Sequence, residues 1–98
     1  MESERVLGDL WEVIENRAAN PSPSSYVSRL LQNEKGIDKA LEKLGEETIE
    51  FILAAKNGVH DRTVAEAADL LFHYLIAVYA SRTQFEEVLG ELKRRKKK

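Results

Sequence analysis

The chain has no cysteine. Disulfides, thiolate metal sites and a cysteine nucleophile are therefore excluded, and the composition fits a reducing cytoplasm. Histidine is scarce as well. His60 and His73 are the only two, so one chain cannot assemble a three-histidine zinc site. No uninterrupted apolar run approaches the roughly 20 residues that span a bilayer, so no membrane association is expected. The N-terminus, Met1-Glu2-Ser3-Glu4-Arg5, is acidic and lacks the basic-then-apolar order of a secretory signal. The expected location is cytoplasmic.

What is present fits one small globular domain. The 98 residues are enough for one domain and no more. A chain this short buries a smaller share of its surface than a larger one, so help from a second subunit is plausible. The net charge of −2 hides an asymmetry. Residues 93–98 read Lys-Arg-Arg-Lys-Lys-Lys, and the other 92 residues carry a net −8. The division expected is a single all-α domain over 1–92 and a basic C-terminal tail over 93–98. A basic run can touch nucleic acid, but a solvated terminus is the commoner meaning, and no nucleic-acid partner is expected.

Hydrophobic periodicity gives four to five helices and no strand. Val6, Leu7, Leu10, Trp11 and Ile14 form one helical stripe, which Pro21 and Pro23 cannot continue. A brief helix follows, with Tyr26, Val27, Leu30 and Leu31 inward, and Gly36 marks a break. A long helix runs from about Ile37 to Lys56, with Ile37, Leu41, Leu44, Thr48, Phe51 and Ala55 as its core stripe. Asn57-Gly58 stops it. Asp61 is a natural N-cap for a helix over about 62–81. Thr83-x-x-Glu86 reads as a capping box opening the last helix. Trp11 and the tyrosines read as core residues.

The helix at 62–81 is apolar nearly all round from Ala67 to Ala80, where only Asp69 and His73 are strongly polar. Such a helix is buried all round. Few other helices exist to cover it, so a second copy of the chain is expected on the remaining face, in a homodimer or larger homo-oligomer.

Acidic residues recur beside these apolar stripes. At 100° per residue, Glu47 and Glu50 share a face with Lys39 and Lys43, while Glu46 points further round, near Ile49 and Leu53. On the next helix Glu66 and Asp69 lie one turn apart, with His73 one turn beyond. Asp69 opens the most apolar stretch and is expected to be partly buried, which disfavours its ionised form unless a positive partner is near. No lysine or arginine occurs between Arg62 and Arg82 to supply one. Antiparallel packing of the two helices brings Glu47 and Glu50 towards Glu66 and Asp69, and a bound cation relieves their repulsion. All-oxygen ligands favour a hard cation, and magnesium typically takes a few carboxylates and substrate phosphates together. Lys39 and Lys43 can counter the phosphate charge, so hydrolysis of a phosphoanhydride is the chemistry implied. The plainer alternatives are local pairs, Lys43 with Glu47 and Lys39 with Glu42, worth a few tenths of a kcal/mol. Glu66 can likewise cap Thr63. His73 reads as a satisfied interior residue rather than a ligand.

At these residues the chain resembles the phosphoribosyl-ATP pyrophosphohydrolases of histidine biosynthesis, from about Leu7 to Arg95. The acidic pattern alone marks the wider superfamily of all-α MazG-like and dimeric dUTPase-type enzymes. Three blocks narrow it: Ser25-Tyr26-Val27 with Leu30-Leu31, Lys43-Leu44-Gly45-Glu46-Glu47-x-x-Glu50, and Glu66-Ala67-Ala68-Asp69-Leu70-Leu71-Phe72-His73. The resemblance implies a MazG-like helical bundle completed by homodimerisation. It implies magnesium-dependent hydrolysis of phosphoribosyl-ATP to phosphoribosyl-AMP and pyrophosphate, the second step of the pathway. It also implies that Glu47, Glu50, Glu66 and Asp69 are cation ligands, that Glu46 is a further ligand or orients the attacking water, and that Lys43 and Lys39 bind phosphate. Glu46, Glu47 and Glu50 are thus the expected catalytic residues. Val27 stands where threonine is more usual. The cyclohydrolase domain often fused upstream is absent, so a stand-alone form is expected. The competing readings are a housekeeping deoxynucleotide pyrophosphohydrolase and, remotely, a non-catalytic helical dimerisation module.

Overall fold

The computed structural model of the chain describes residues 5–96, and the acidic Met1–Glu4 and the last two tail residues lie outside it. The described residues form five helices and no strand: α1 (Val6–Ala19), α2 (Tyr26–Leu31), α3 (Ile37–Asn57), α4 (His60–Ala80) and α5 (Phe85–Arg94).

α1 buries Trp11 and Ile14, while Val6 lies off the inward stripe and is exposed. α2 starts at Ser25, whose hydroxyl accepts from the Ser28 N–H at 3.1 Å. The buried Ser28 hydroxyl donates to the Arg17 carbonyl at 2.8 Å and accepts from the Ser22 N–H, so the loop carrying both prolines is tied to α1. Tyr26 departs from expectation. It is 40% exposed, because it stands at the edge of α2 rather than on the face that buries Val27 and Leu30.

α3 and α4 form an antiparallel hairpin with the most extensive packing in the molecule. Gly58 makes the turn in the left-handed region, φ 74° and ψ 16°, and returns its N–H to the carbonyls of Ala54 and Ala55. Glycine adopts this conformation without the steric cost that a Cβ brings. Across the turn the Thr63 hydroxyl donates to the Ala54 carbonyl at 3.2 Å, so it is not capped by Glu66. Asp61 is not the N-cap; Val59 holds that position without a side-chain bond, and the helix begins at His60. The inward residues of α3 are the small Ala40 and Ala54, which let α4 approach closely. Ile37, Leu41 and Ala55 are exposed, and Leu44, Thr48 and Phe51 are half-buried, so the expected core stripe is left open by its own chain.

α4 is the central helix and packs against all four others. By length and average hydropathy it does reach what a bilayer span needs, contrary to the reading from uninterrupted runs, but core helices meet the same measure. Leu75, Ile76, Ala77 and Val78 are buried in it, with Trp11 stacked on Phe85 at 5.8 Å and tilted against Tyr79. α4 ends in a left-handed residue that is not glycine, Arg82 at φ 62°. The capping box of α5 is one residue later than expected. Gln84 and Glu87 form it, with the Gln84 N–H donating to Glu87 Oε1 at 2.9 Å. α5 runs to Arg94, two residues into the basic stretch, and Glu91 pairs with both Arg94 and Arg95.

One long apolar surface stays open. Leu44, Thr48 and Phe51 of α3 and Leu70, Leu71 and Tyr74 of α4 line a groove of about 490 Å³. Ile49, Ile52, Leu53, Val59 and Val64 on the same hairpin are more than half exposed.

Candidate active site

The hairpin's antiparallel register sets Glu47 of α3 against Glu66 and Asp69 of α4. One carboxylate oxygen of each lies within 4.8 Å of the other two. The burial is the reverse of what position along the apolar run suggested. Glu66 is the buried member, at 8% exposure, and Asp69 is exposed. Glu66 lies seven residues before His73, nearly the same helical face, and that face turns into the bundle. Asp69 sits about a sixth of a turn round from Glu66, at the solvent-facing edge of the same face, and is exposed there.

Two oxygens at this cluster are buried without a hydrogen-bond partner among the described residues, Glu47 Oε2 and Glu66 Oε1. Buried carboxylate oxygens are normally paired, and leaving one unpaired costs free energy. Burial holds the Glu47 carboxyl above its usual pKa, the neighbouring Glu50 pushes the same way, His73 opposes, and Asp69 adds to the rise. A cation supplies what both orphaned oxygens lack, so the donor set fits a hard metal ion.

The other sequence candidates lie around this centre. Glu50 is exposed, one turn beyond Glu47, and acts on it at close range. Glu46 turns away from the three-carboxylate cluster and takes Lys43 Nζ at 3.2 Å. Lys43 thus pairs with Glu46 and not with Glu47. Lys39 Nζ is 3.7 Å from Glu42, the expected local pair, and Lys35 joins the same carboxylate at 3.3 Å. Both Lys39 and Lys43 keep roughly a quarter of their side chains exposed, each paired with a partly exposed glutamate.

His73 is buried and both its ring nitrogens are used. Nδ1 is 2.9 Å from the Asp69 carbonyl oxygen and Nε2 is 2.8 Å from the Tyr26 hydroxyl. The carbonyl can only accept, so Nδ1 carries the proton and Nε2 accepts from tyrosine. His73 is therefore the satisfied interior residue its position suggested.

Residues 7–96 match the family described as phosphoribosyl-ATP pyrophosphohydrolase. The chain belongs to that family. Among similar proteins, the phosphoribosyl-ATP pyrophosphatase of Methanoculleus marisnigri is 60% identical over 92 residues, covering 94% of this chain and 95% of its own. The protein of the same name from Methanoregula boonei is 58% identical over 93 residues, 95% of this chain and 89% of its own. The Methanocella arvoryzae protein is 46% identical over 92 residues, 94% and 97% of the two chains.

Around this carboxylate cluster, two residues escaped the reading of the sequence. Arg62 reaches Glu66 Oε2 at 3.2 Å, a partner the sequence reading did not assign to Glu66. The signal was there, since Arg62 stands four residues before Glu66, at a spacing that makes helical neighbours. Tyr26 was assigned to the core, yet it borders the carboxylates through His73. Nothing in its spacing distinguishes those two fates.

Proposed function

We propose that this chain hydrolyses phosphoribosyl-ATP to phosphoribosyl-AMP and pyrophosphate, the second step of histidine biosynthesis, in the cytoplasm and with magnesium. The observation that carries the cation is the pair of buried, unpartnered oxygens, Glu47 Oε2 and Glu66 Oε1, at the centre of a family pyrophosphohydrolase. Glu47, Glu66 and Asp69 would hold the ion, with Glu50 the fourth ligand. When bound, magnesium supplies charge for the phosphates and an acidified water. Glu46 is a further ligand or orients that water. Lys43 and Lys39 leave their present glutamates to take substrate phosphate. Arg62 keeps the outer oxygen of Glu66 engaged and so fixes which oxygen faces the cluster.

The open groove on the hairpin is read as the seat of a second copy, giving a homodimer. The body over 1–92 carries the activity, and 93–98 is a solvated extension.

Purified protein is to be given magnesium and a panel of phosphoribosyl-ATP, ATP, dUTP and dCTP, with pyrophosphate detected. Release from phosphoribosyl-ATP alone is the expected result. Preference for dUTP or dCTP reassigns the chain to housekeeping nucleotide hydrolysis, and no release from any substrate leaves it a helical interaction module.

A further inference from the structure

Tyr26 is an aromatic ring fixed in place at the border of the acidic cluster, and its own hydroxyl is already spent. The hydroxyl donates to His73 Nε2 at 2.8 Å, and His73 is in turn held by the Asp69 carbonyl. Two rings hold the tyrosine from the side: His73, edge-on at 5.6 Å and 81°, and Phe72, tilted at 6.1 Å and 32°. Burial, together with the acidic Glu47 and Glu46, pushes its phenol pKa up against the pull of Lys43, so the hydroxyl stays protonated. Even so, 40% of the residue is exposed. What Tyr26 has left to offer a ligand is the ring. An aromatic ring braced by two others, in a residue 40% exposed, is suited to stacking on a flat heterocycle, since every base presents a π-face. It stands close enough to Lys43 and Glu47 for their charges to act on its hydroxyl, between a cation that can take phosphate and carboxylates that can hold a metal ion.

We infer that Tyr26 is a substrate-contacting residue whose ring stacks on the purine of the nucleotide. The inference rests on the proposed nucleotide chemistry of this site. Its consequence is a division of labour: α2 reads the base, while α3 and α4 read the phosphates.

The test compares AMP and inorganic pyrophosphate as separate probes, measured by calorimetry in the presence of magnesium on the full chain. Tyr26→Leu should weaken AMP about tenfold or more, in keeping with the contribution of one stacked base. Pyrophosphate, which has no base, should bind this variant as it binds the wild type. Tyr26→Phe and Tyr26→Trp keep a ring and should retain most of the AMP affinity. In turnover of phosphoribosyl-ATP, Tyr26→Leu should raise KM with little change in kcat. Unchanged AMP affinity in Tyr26→Leu overturns the inference. So does a parallel loss of pyrophosphate, which marks a structural role, and so does a loss in Tyr26→Phe as large as in Tyr26→Leu, which marks the hydroxyl. A wild-type protein that binds AMP through Tyr26 but does not hydrolyse phosphoribosyl-ATP would sink the proposed function and leave the stacking assignment standing.

Discussion

Glu47 holds a buried oxygen, Oε2, for which the described residues offer no hydrogen-bond donor, with Glu50 close beside it. Its pKa is raised above the ordinary 4.5 by burial and then by Glu50. The folded, metal-free protein therefore holds this proton more tightly than the unfolded chain does. Stability contributed by that proton is fully present below the ordinary glutamate pKa and is lost as pH rises through the raised value. Glu47→Gln, which cannot ionise, should thus raise the melting temperature of the metal-free protein at neutral pH. It should leave that temperature nearly unchanged in acid below the ordinary pKa. The wild type should gain melting temperature on adding magnesium, and Glu47→Gln should gain much less. Equal magnesium responses in the two proteins would contradict the ligand role of Glu47. Asp69 calls for a different outcome because it is exposed. Asp69→Asn should leave the metal-free melting curve in place while pyrophosphate release falls by more than about 100-fold, beyond what outer partners of a metal ligand typically cost. The burial order of these two carboxylates was not legible in the sequence. Position along the apolar run favoured Asp69, but the angular setting of α4 against α3 decides which side chain turns inward, and that setting depends on tertiary packing.

Helices are where the sequence reading succeeds best. Element number, order and type follow from a period of 3.6 interrupted by prolines and glycines, and all five helices carry that mark. Their ends were less legible. Asp61 and Thr83 are good capping residues by type, yet Val59 and Gln84 hold the N-cap positions. The Gly58 turn fixes where α4 begins, and Arg82 and Thr83 close the end of α4, their N–H groups returning to Tyr79 and Val78. Arg82 does this in a left-handed conformation, costing roughly 1 kcal/mol relative to glycine. Arg82→Gly should therefore stabilise the protein by up to about 1 kcal/mol, offset in part by the greater freedom of glycine in the unfolded chain. Chemical denaturation with an unchanged slope would register it; a clear loss of stability would show that the Arg82 side chain does something its backbone strain conceals.

For the whole molecule, the apolar run of α4 correctly signalled surface that one chain of this size leaves uncovered. It did not specify which residues. Leu71 is 41% exposed and lines the open groove with Phe51 and Tyr74. If a second copy covers this groove, Leu71→Lys should shift the protein towards monomer in sedimentation. It should also lower its melting temperature most at low protein concentration, because association then contributes to stability by mass action. A wild type that sediments as a monomer at every concentration would refute the dimer.

The Gly58 turn also bears on how the chain reaches this structure. It joins the two longest helices, whose mutual interface is the largest in the molecule and lies between neighbours in sequence. Contacts of this kind close short loops, so they form early and quickly, on the microsecond-to-millisecond scale common for helical domains. The hairpin is thus the natural folding nucleus, with α1, α2 and α5 condensing onto it. Gly58→Ala should then slow refolding, whereas substitutions that loosen α5, such as Phe85→Leu, should chiefly hasten unfolding. By this order of events, the two halves of the carboxylate cluster meet in the first structured species, before most of the bundle has assembled around them.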